Sequence, residues 1–416
     1  MYRRRKRRLP FAAYAALLFN ATLFVSPFIA AQTMFTAYGR EVARLHDSDA
    51  SMAATRRAIN ARFSRLADED GNTGREAWTN LIRMELEAGE MSAVRGFLLA
   101  APSMLSGDDL DSLKARIAVA DAGGDEALIN AALAYLPEDV RALYERRSAS
   151  VIQQLSDAAP ADEVEEAPEP DVYAADEDAS AQFSVLGDLR DLSLAAARWT
   201  RNDKIDEFSF VLSGVGLILA DPPARQGASI VMSAARAESL DPQFSQYLER
   251  RLFQTAPPQR VKRLLTSRFS HEFGYVTDGP QILRDVFAEA ADSSQLQILL
   301  KDFRVIRDIA AETSPMAAVT ILSEVKTSSD LRRARLVARA GGDKAVALAL
   351  NDGDRLLDNA RIVIVWSKAL GMQVAACFAC VALLAYIAMN VAWKSFRRNA
   401  PIRRSAVYAL EEISPV

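Results

Sequence analysis

Two long apolar segments, one near each end of the chain, constrain this sequence more than any other feature. Segments 10–35 and 369–393 each exceed the roughly 20 residues that a helix needs to cross a bilayer core. Trp366 and Trp393 bracket the second segment. The helix between them would be about 40 Å long, which matches a bilayer with its interfaces, where Trp is enriched. The sequence therefore predicts two transmembrane helices.

Basic residues flank both apolar segments on the side nearer the chain end. Six of the first eight residues are Arg or Lys, and five more lie in the last 23 residues. Because basic flanks stay on the cytoplasmic side, we predict cytoplasmic tails at 1–9 and 394–416. Residues 36–368 would then lie on the opposite, non-cytoplasmic side of the membrane. A cleavable signal peptide is the alternative for segment 10–35, and it leaves the middle of the chain on the same side.

The composition between the two ends favours helices and excludes several classes of protein. Ala is abundant, whereas 18 Gly and 16 Pro supply few turns. Two Cys and two His leave no basis for a disulfide scaffold, a zinc site or a His-dependent triad, so we predict no catalytic, cofactor or metal site. Without the basic ends the chain carries 39 basic and 52 acidic residues, the opposite of a nucleic-acid-binding protein.

The outer region divides into two predicted helical modules and a linker. We place module A at 36–155, an acidic linker at 156–182 and module B at 183–368. Residues 157–178 hold ten acids, three prolines and no basic residue, so they cannot bury enough apolar surface to fold alone. The predicted fold class is all-α, with two repeat-like or bundle modules outside the membrane and two transmembrane helices.

One short apolar stretch of module B is predicted to form a buried helix. Phe208–Ala220 is 13 residues long, too short to cross a bilayer. Its Gly214 and Gly216 resemble the start of a dinucleotide-binding loop, but Leu219 replaces the third glycine and no strand precedes them. Close helix packing is the better interpretation.

A repeated phrase indicates helical repeats. Ala122–Ala127 (AGGDEA) is echoed by Ala340–Ala345 (AGGDKA), and helical patterns recur about every 34 residues. With Trp78 and Leu81 in first-helix positions, residues 73–150 resemble tetratricopeptide and related helical-repeat proteins. The resemblance implies a superhelix with a peptide-binding groove, and a plain helical bundle is the alternative.

A second resemblance concerns module B. The phrases Gly214–Ala220, Gln226–Leu240 and Leu331–Leu350 are similar to proteobacterial two-span envelope proteins. The similarity covers about residues 200–370 and implies a cell-envelope location without a particular activity. We therefore predict a bacterial inner-membrane protein whose bulk is periplasmic.

Two sets of residues are candidate contact sites. The outer region has one basic stretch followed by aromatic residues, which we predict to be a contact patch, although a solvated helix face is the simpler alternative. Its members are Arg250, Arg251, Arg260, Lys262, Arg263, Arg268 and His271. Small or polar residues in the apolar segments predict helix packing in the membrane, and a homo-oligomer through it. These residues are Asn20, Gly371, Ala375 and Ala379.

The predicted function is a membrane-anchored, non-catalytic scaffold or adaptor that binds other envelope proteins through helical-repeat surfaces. Nucleic acid is not a predicted partner. One alternative is a membrane-tethered enzyme of unknown chemistry, for which Ser323 and Lys326 form a Ser-x-x-Lys pair without the partner motifs of that class. The other alternative is a subunit of an oligomeric membrane complex or transporter.

Overall fold

The computed structural model describes residues 48–69, 74–119, 124–158, 189–269, 279–363 and 368–398, together with Gln32. Throughout these ranges the chain is helical and contains no strand, which confirms the predicted all-α class. The chain divides into two units. His46–Val363 form a compact unit, and the second unit combines Met1–Leu45 with Ile364–Val416.

The helices of the compact unit vary from 8 to 21 residues in length. In chain order they are α1 (Asp49–Glu69), α2 (Gly74–Ala88), α3 (Met91–Met104), α4 (Gly107–Val119), α5 (Asp125–Leu133), α6 (Glu138–Ala158), α7 (Leu189–Thr200), α8 (Glu207–Ile218), α9 (Pro222–Arg236), α10 (Pro242–Thr255), α11 (Pro258–Phe269), α12 (Gly279–Ala290), α13 (Ser293–Glu312), α14 (Pro315–Leu322), α15 (Ser328–Gly341), α16 (Asp343–Asp352) and the 3-10 helix Gly353–Asn359.

Helices α2 and α3 form a hairpin in the region that resembles helical-repeat proteins. Gly89 has a φ of 85°, which glycine adopts without steric cost, and it ends α2. The buried Trp78 packs between the helices and donates its indole N–H to the carbonyl of Phe97 at 2.8 Å. Pro102 lies inside α3, and the last turn of the helix closes through a hydrogen bond from Leu105 N–H to the Ala101 carbonyl.

The predicted apolar core helix is confirmed as α8. Asp206 caps it by accepting the backbone N–H groups of Phe208 and Ser209, so the helix begins at a fixed point. A Cβ atom at Gly214 would overlap the ring of Phe287 on α12. The glycine is therefore required for close helix packing, as the sequence predicted.

The long helix α13 lies at the centre of the second half of the compact unit. It packs against α9, α10, α14 and α15. At the crossing with α9, Gly227 faces the backbone of Phe303, and a Cβ there would overlap the Phe303 carbonyl oxygen. Phe303 and Ile306 of α13 are fully buried.

The last helices of predicted module B pack against the first helices of predicted module A. Helix α15 contacts α1, and α16 contacts α3. Gly96 permits the second contact, since a Cβ there would overlap the carbonyl oxygen of Asp343. Helices α5 and α16, which follow the two repeated phrases, each begin after a glycine of positive φ. Both helices contact α3. The described parts of both modules thus share one compact unit.

Two parts of the predicted organisation lie mostly outside the described residues. The acidic linker was placed at 156–182, and its first three residues are the end of α6. Of the first apolar segment, 10–35, only Gln32 is described, and it is helical.

The described part of the second unit is α17, a helix of 31 residues (Lys368–Arg398) that coincides with the second apolar segment. Large apolar side chains of this helix are exposed along its length: Met372, Phe378, Val381, Leu383, Tyr386, Ile387 and Met389. Over the residues that the structure describes, no helix meets the length and hydropathy of a membrane span.

Candidate functional site

The beginning and the end of the compact unit meet in one place, which we call the terminal clasp. It consists of Ser51, Thr55 and Arg62 on α1, Asp352 at the end of α16, and the extended segment 361–363. Residues that face each other in the clasp are about 300 positions apart in the chain.

Two buried hydroxyl groups hold the extended segment against α1. The Arg361 N–H donates to Thr55 Oγ1 at 3.0 Å, and the Val363 N–H donates to Ser51 Oγ at 2.9 Å. Ser51 and Thr55 are both fully buried. A buried hydroxyl needs a hydrogen-bond partner, and the backbone N–H groups of segment 361–363 supply it. The spacing of four residues places both hydroxyls on one face of α1.

An ion pair lies deeper in the clasp. Arg62 donates from Nε and Nη2 to the two carboxylate oxygens of Asp352, each at 2.6 Å. The side chains are only 11% and 3% exposed, respectively. Such a two-bond pair fixes distance and orientation together, so it aligns α1 with the end of α16.

Further polar contacts flank the clasp where α15 and α16 meet α1. Arg56 donates to the carbonyl of Ala340 at 3.2 Å, and Lys344 donates to Asn60 Oδ1 at 3.3 Å. Burial lowers the pKa of Lys344, although the nearby Asp125 acts in the opposite direction. These bonds join the two ends of the unit over several turns of α1.

The acidic neighbour of Lys344 also has a shifted pKa. Burial raises the pKa of Asp343, while its 3.1 Å ion pair with Arg95 on α3 opposes the shift. Within the described ranges, no three potential metal ligands of the Cys, His, Asp or Glu type come together. The chemistry of the clasp and its surroundings is therefore that of structural hydrogen bonds and ion pairs.

The predicted contact patch occupies two helices. Arg250 and Arg251 lie on α10, and Arg260, Lys262, Arg263 and Arg268 lie on α11. His271 lies outside the described residues.

On α10, the two arginines make different contacts. Arg250 donates to the Gln246 carbonyl of its own helix at 3.2 Å. Arg251 lies over the ring of Tyr247, whose hydroxyl donates to Asp302 of α13 at 2.7 Å. Burial raises the pKa of Asp302, because the loss of hydration outweighs the Tyr247 hydrogen bond and the nearby cations.

On α11, three of the four cations contact neighbouring helices. Arg260 donates to the carbonyl of Glu289 at 2.9 Å, and Arg268 pairs with the Glu289 carboxylate at 2.8 Å. Lys262 donates to Asn202 Oδ1 at 2.9 Å and lies 5.7 Å from the centre of the Trp199 ring. The structure thus brings α7, α11 and α12 together around this part of the patch.

The residues predicted to pack in the membrane are partly described. Asn20 lies outside the described residues. Gly371, Ala375 and Ala379 recur every fourth position of α17 and so share one face. Among the described residues, no atom from outside its own stretch of helix lies within 4 Å of a Cβ built at Gly371.

The serine of the enzyme alternative ends a helix. Ser323 is the C-terminal cap of α14, and its hydroxyl lies 2.7 Å from the Thr320 carbonyl and 3.2 Å from the Glu324 carboxylate. A hydroxyl bonded to its own helix in this way has a local structural role.

No family model, curated protein or solved structure is significantly similar to this chain. The terminal clasp was not predicted from the sequence. Ser51, Thr55 and Arg62 are spaced regularly on one helix, but no local pattern identifies partners some 300 residues away. The repeated phrase at Ala122 and Ala340 precedes two helices, α5 and α16, that both contact α3.

Proposed function

We propose that this protein is a membrane-anchored, non-catalytic scaffold or adaptor of the bacterial cell envelope. Segments 10–35 and 369–393 act as two anchors, both tails are cytoplasmic, and residues 46–363 form the periplasmic unit. The terminal clasp is the observation that carries the proposal. Because Ser51 and Val363 are hydrogen-bonded to each other, the chain enters and leaves the compact unit at one place. Adjacent chain ends are compatible with a chain that leaves the membrane, forms one unit and returns to the same membrane.

The character of α17 supports the anchoring part of the proposal. Its 31 residues extend about 46 Å at 1.5 Å per residue. Side chains such as Phe378, Leu383 and Met389 are more than half exposed. In water, exposure of this much apolar surface along one helix is unfavourable, whereas lipid chains would cover it.

The adaptor part rests on the helical surfaces and the tether. Paired helices such as α2–α3 and α9–α13 present long, rigid faces to which other proteins can bind. Confinement at the membrane raises the local concentration of any bound partner near other membrane proteins. The non-catalytic part rests on the sequence, which offers two His and no complete catalytic motif.

The test uses the tagged full chain at native expression level. We expect it to stay with the membrane after high-salt and alkaline washes, and chemical crosslinking in cells should recover a reproducible set of envelope proteins. The matched control keeps both anchors and tails but lacks residues 48–363, so it should remain in the membrane and lose those partners. Release of the full chain by alkaline washing would refute the anchoring. An identical partner list for the control would refute the adaptor role.

A further inference from the structure

One face of the compact unit is positively charged, although the middle of the chain is acidic. Residues 189–206 and 258–269, which form α7, the turn after it and α11, hold eight basic and three acidic side chains. The exposed cations among them are Arg198, Arg201, Lys204, Arg260, Arg263 and Arg268. Together with Lys262 we call this surface the basic face.

Contacts between α7 and α11 make the basic face one continuous surface. Lys262 reaches from α11 to the end of α7, where it bonds Asn202 and lies over the Trp199 ring. Arg201 lies in the turn after α7, where its N–H donates to the Arg198 carbonyl at 3.0 Å. The two helices also pack against each other directly.

The charge of the basic face is not neutralised by its own acids. Asp206 uses its carboxylate to cap α8. Of the exposed cations, Arg198, Arg201, Lys204 and Arg263 form no ion pair with another residue that the structure describes. Four cations are therefore available to an anionic ligand.

The sequence supplies such a ligand next to this surface. Residues 159–188 contain ten acidic and no basic side chains, and they lead directly into Leu189, the first residue of α7. Asp178 lies 11 residues before Leu189, a maximum reach of about 36 Å, whereas the 12 residues of α7 extend about 18 Å. The acidic cluster Asp176–Asp178 can therefore reach the end of α7, where Lys262 of α11 contacts Trp199 and Asn202.

We propose that the acidic segment 159–188 binds the basic face of its own chain. Single exposed ion pairs are weak, but a segment attached beside its binding surface acts at an effective concentration in the millimolar range. Several pairs formed together then suffice for binding. Because these pairs are solvent-exposed, salt weakens them. A separate protein or lipid that used the basic face would have to displace this segment.

Zero-length crosslinking of amines to carboxylates tests the proposal on the purified full chain. Trypsin releases residues 148–190 as one peptide, since no basic residue lies between Arg147 and Arg190. We expect this peptide to be joined to Lys204 and Lys262 about tenfold more often than to the control Lys114, which is 63% exposed on α4. In about 1 M salt, where the screening length is about 3 Å, the preference should disappear. Equal yields at all lysines would overturn the proposal.

Charge reversal gives the second arm of the test. Arg198→Glu combined with Arg263→Glu should reduce the crosslinks to Lys262 several-fold, whereas Arg65→Glu, an exposed arginine on α1, should not. All three side chains are exposed, so each variant should keep the thermal stability of the parent chain. Mixing isotopically heavy and light chains distinguishes crosslinks within one chain from crosslinks between two chains. Heavy–light crosslinks as frequent as heavy–heavy and light–light crosslinks would overturn binding within one chain. Salt-sensitive binding of the basic face to vesicles of anionic phospholipid, without the peptide crosslink, would also overturn it.

Discussion

Removing one partner of the ion pair in the terminal clasp should destabilise the compact unit strongly. In Asp352→Ala the guanidinium of Arg62 loses two hydrogen bonds of 2.6 Å and stays in a site where its side chain is 11% exposed. Removing one partner of a buried ion pair costs about 3–5 kcal/mol. We therefore expect a loss of that size in the free energy of unfolding.

Urea unfolding followed by Trp fluorescence measures this loss, because Trp78 and Trp199 are both buried in the compact unit. The matched control is Asp139→Ala, which removes an exposed ion pair with Arg83 and should cost less than about 1 kcal/mol. A similarly small loss for Asp352→Ala would refute the reasoning.

The double variant Arg62→Met with Asp352→Leu separates charge burial from packing. Apolar residues of similar volume often replace a buried ion pair with little loss of stability. The double variant should therefore be more stable than Asp352→Ala. A double variant less stable than Asp352→Ala would show that loss of the charge pair is not the main cause of the destabilisation.

Two other substitutions test packing and pH dependence. Gly227→Ala should destabilise the unit by about 1–3 kcal/mol in the same unfolding assay, because its Cβ overlaps the Phe303 carbonyl. For Asp302, whose pKa is raised by burial, the stability it contributes is present below its ordinary pKa and lost as pH rises through the raised value. Asp302→Asn, which still accepts from Tyr247, should therefore gain stability relative to the parent chain as the pH rises above about 4, the ordinary pKa of an Asp carboxyl; a constant difference would contradict this.

The sequence predicted those features of the fold that depend on local pattern. The all-α class follows from an Ala-rich, Gly-poor and Pro-poor chain, and the buried helix α8 follows from its continuous apolar residues. Gly214 was predicted to permit close packing, and the ring of Phe287 is the neighbour that requires it. These features need no knowledge of distant residues.

The features that the sequence did not predict depend on contacts between distant parts of the chain. The boundary of modules A and B was drawn at the acidic linker, but α15 and α16 pack on α1 and α3 across that boundary. Arg62 and Asp352 are 290 residues apart, and neither stands out in a chain with 104 charged residues. The cations of the contact patch could be read from the sequence, but the residues that they contact, such as Glu289, could not.

The most direct test of the account is the position of the acidic segment and of the C-terminal tail relative to the membrane. In a chain whose Cys377 and Cys380 are replaced by Ala, Ser180→Cys and Ser405→Cys each provide a single thiol. A maleimide that cannot cross the inner membrane is added to cells with a permeabilised outer membrane. We predict labelling at position 180 before lysis and at position 405 only after lysis. Labelling at 405 in intact cells, with protection at 180, would contradict the account.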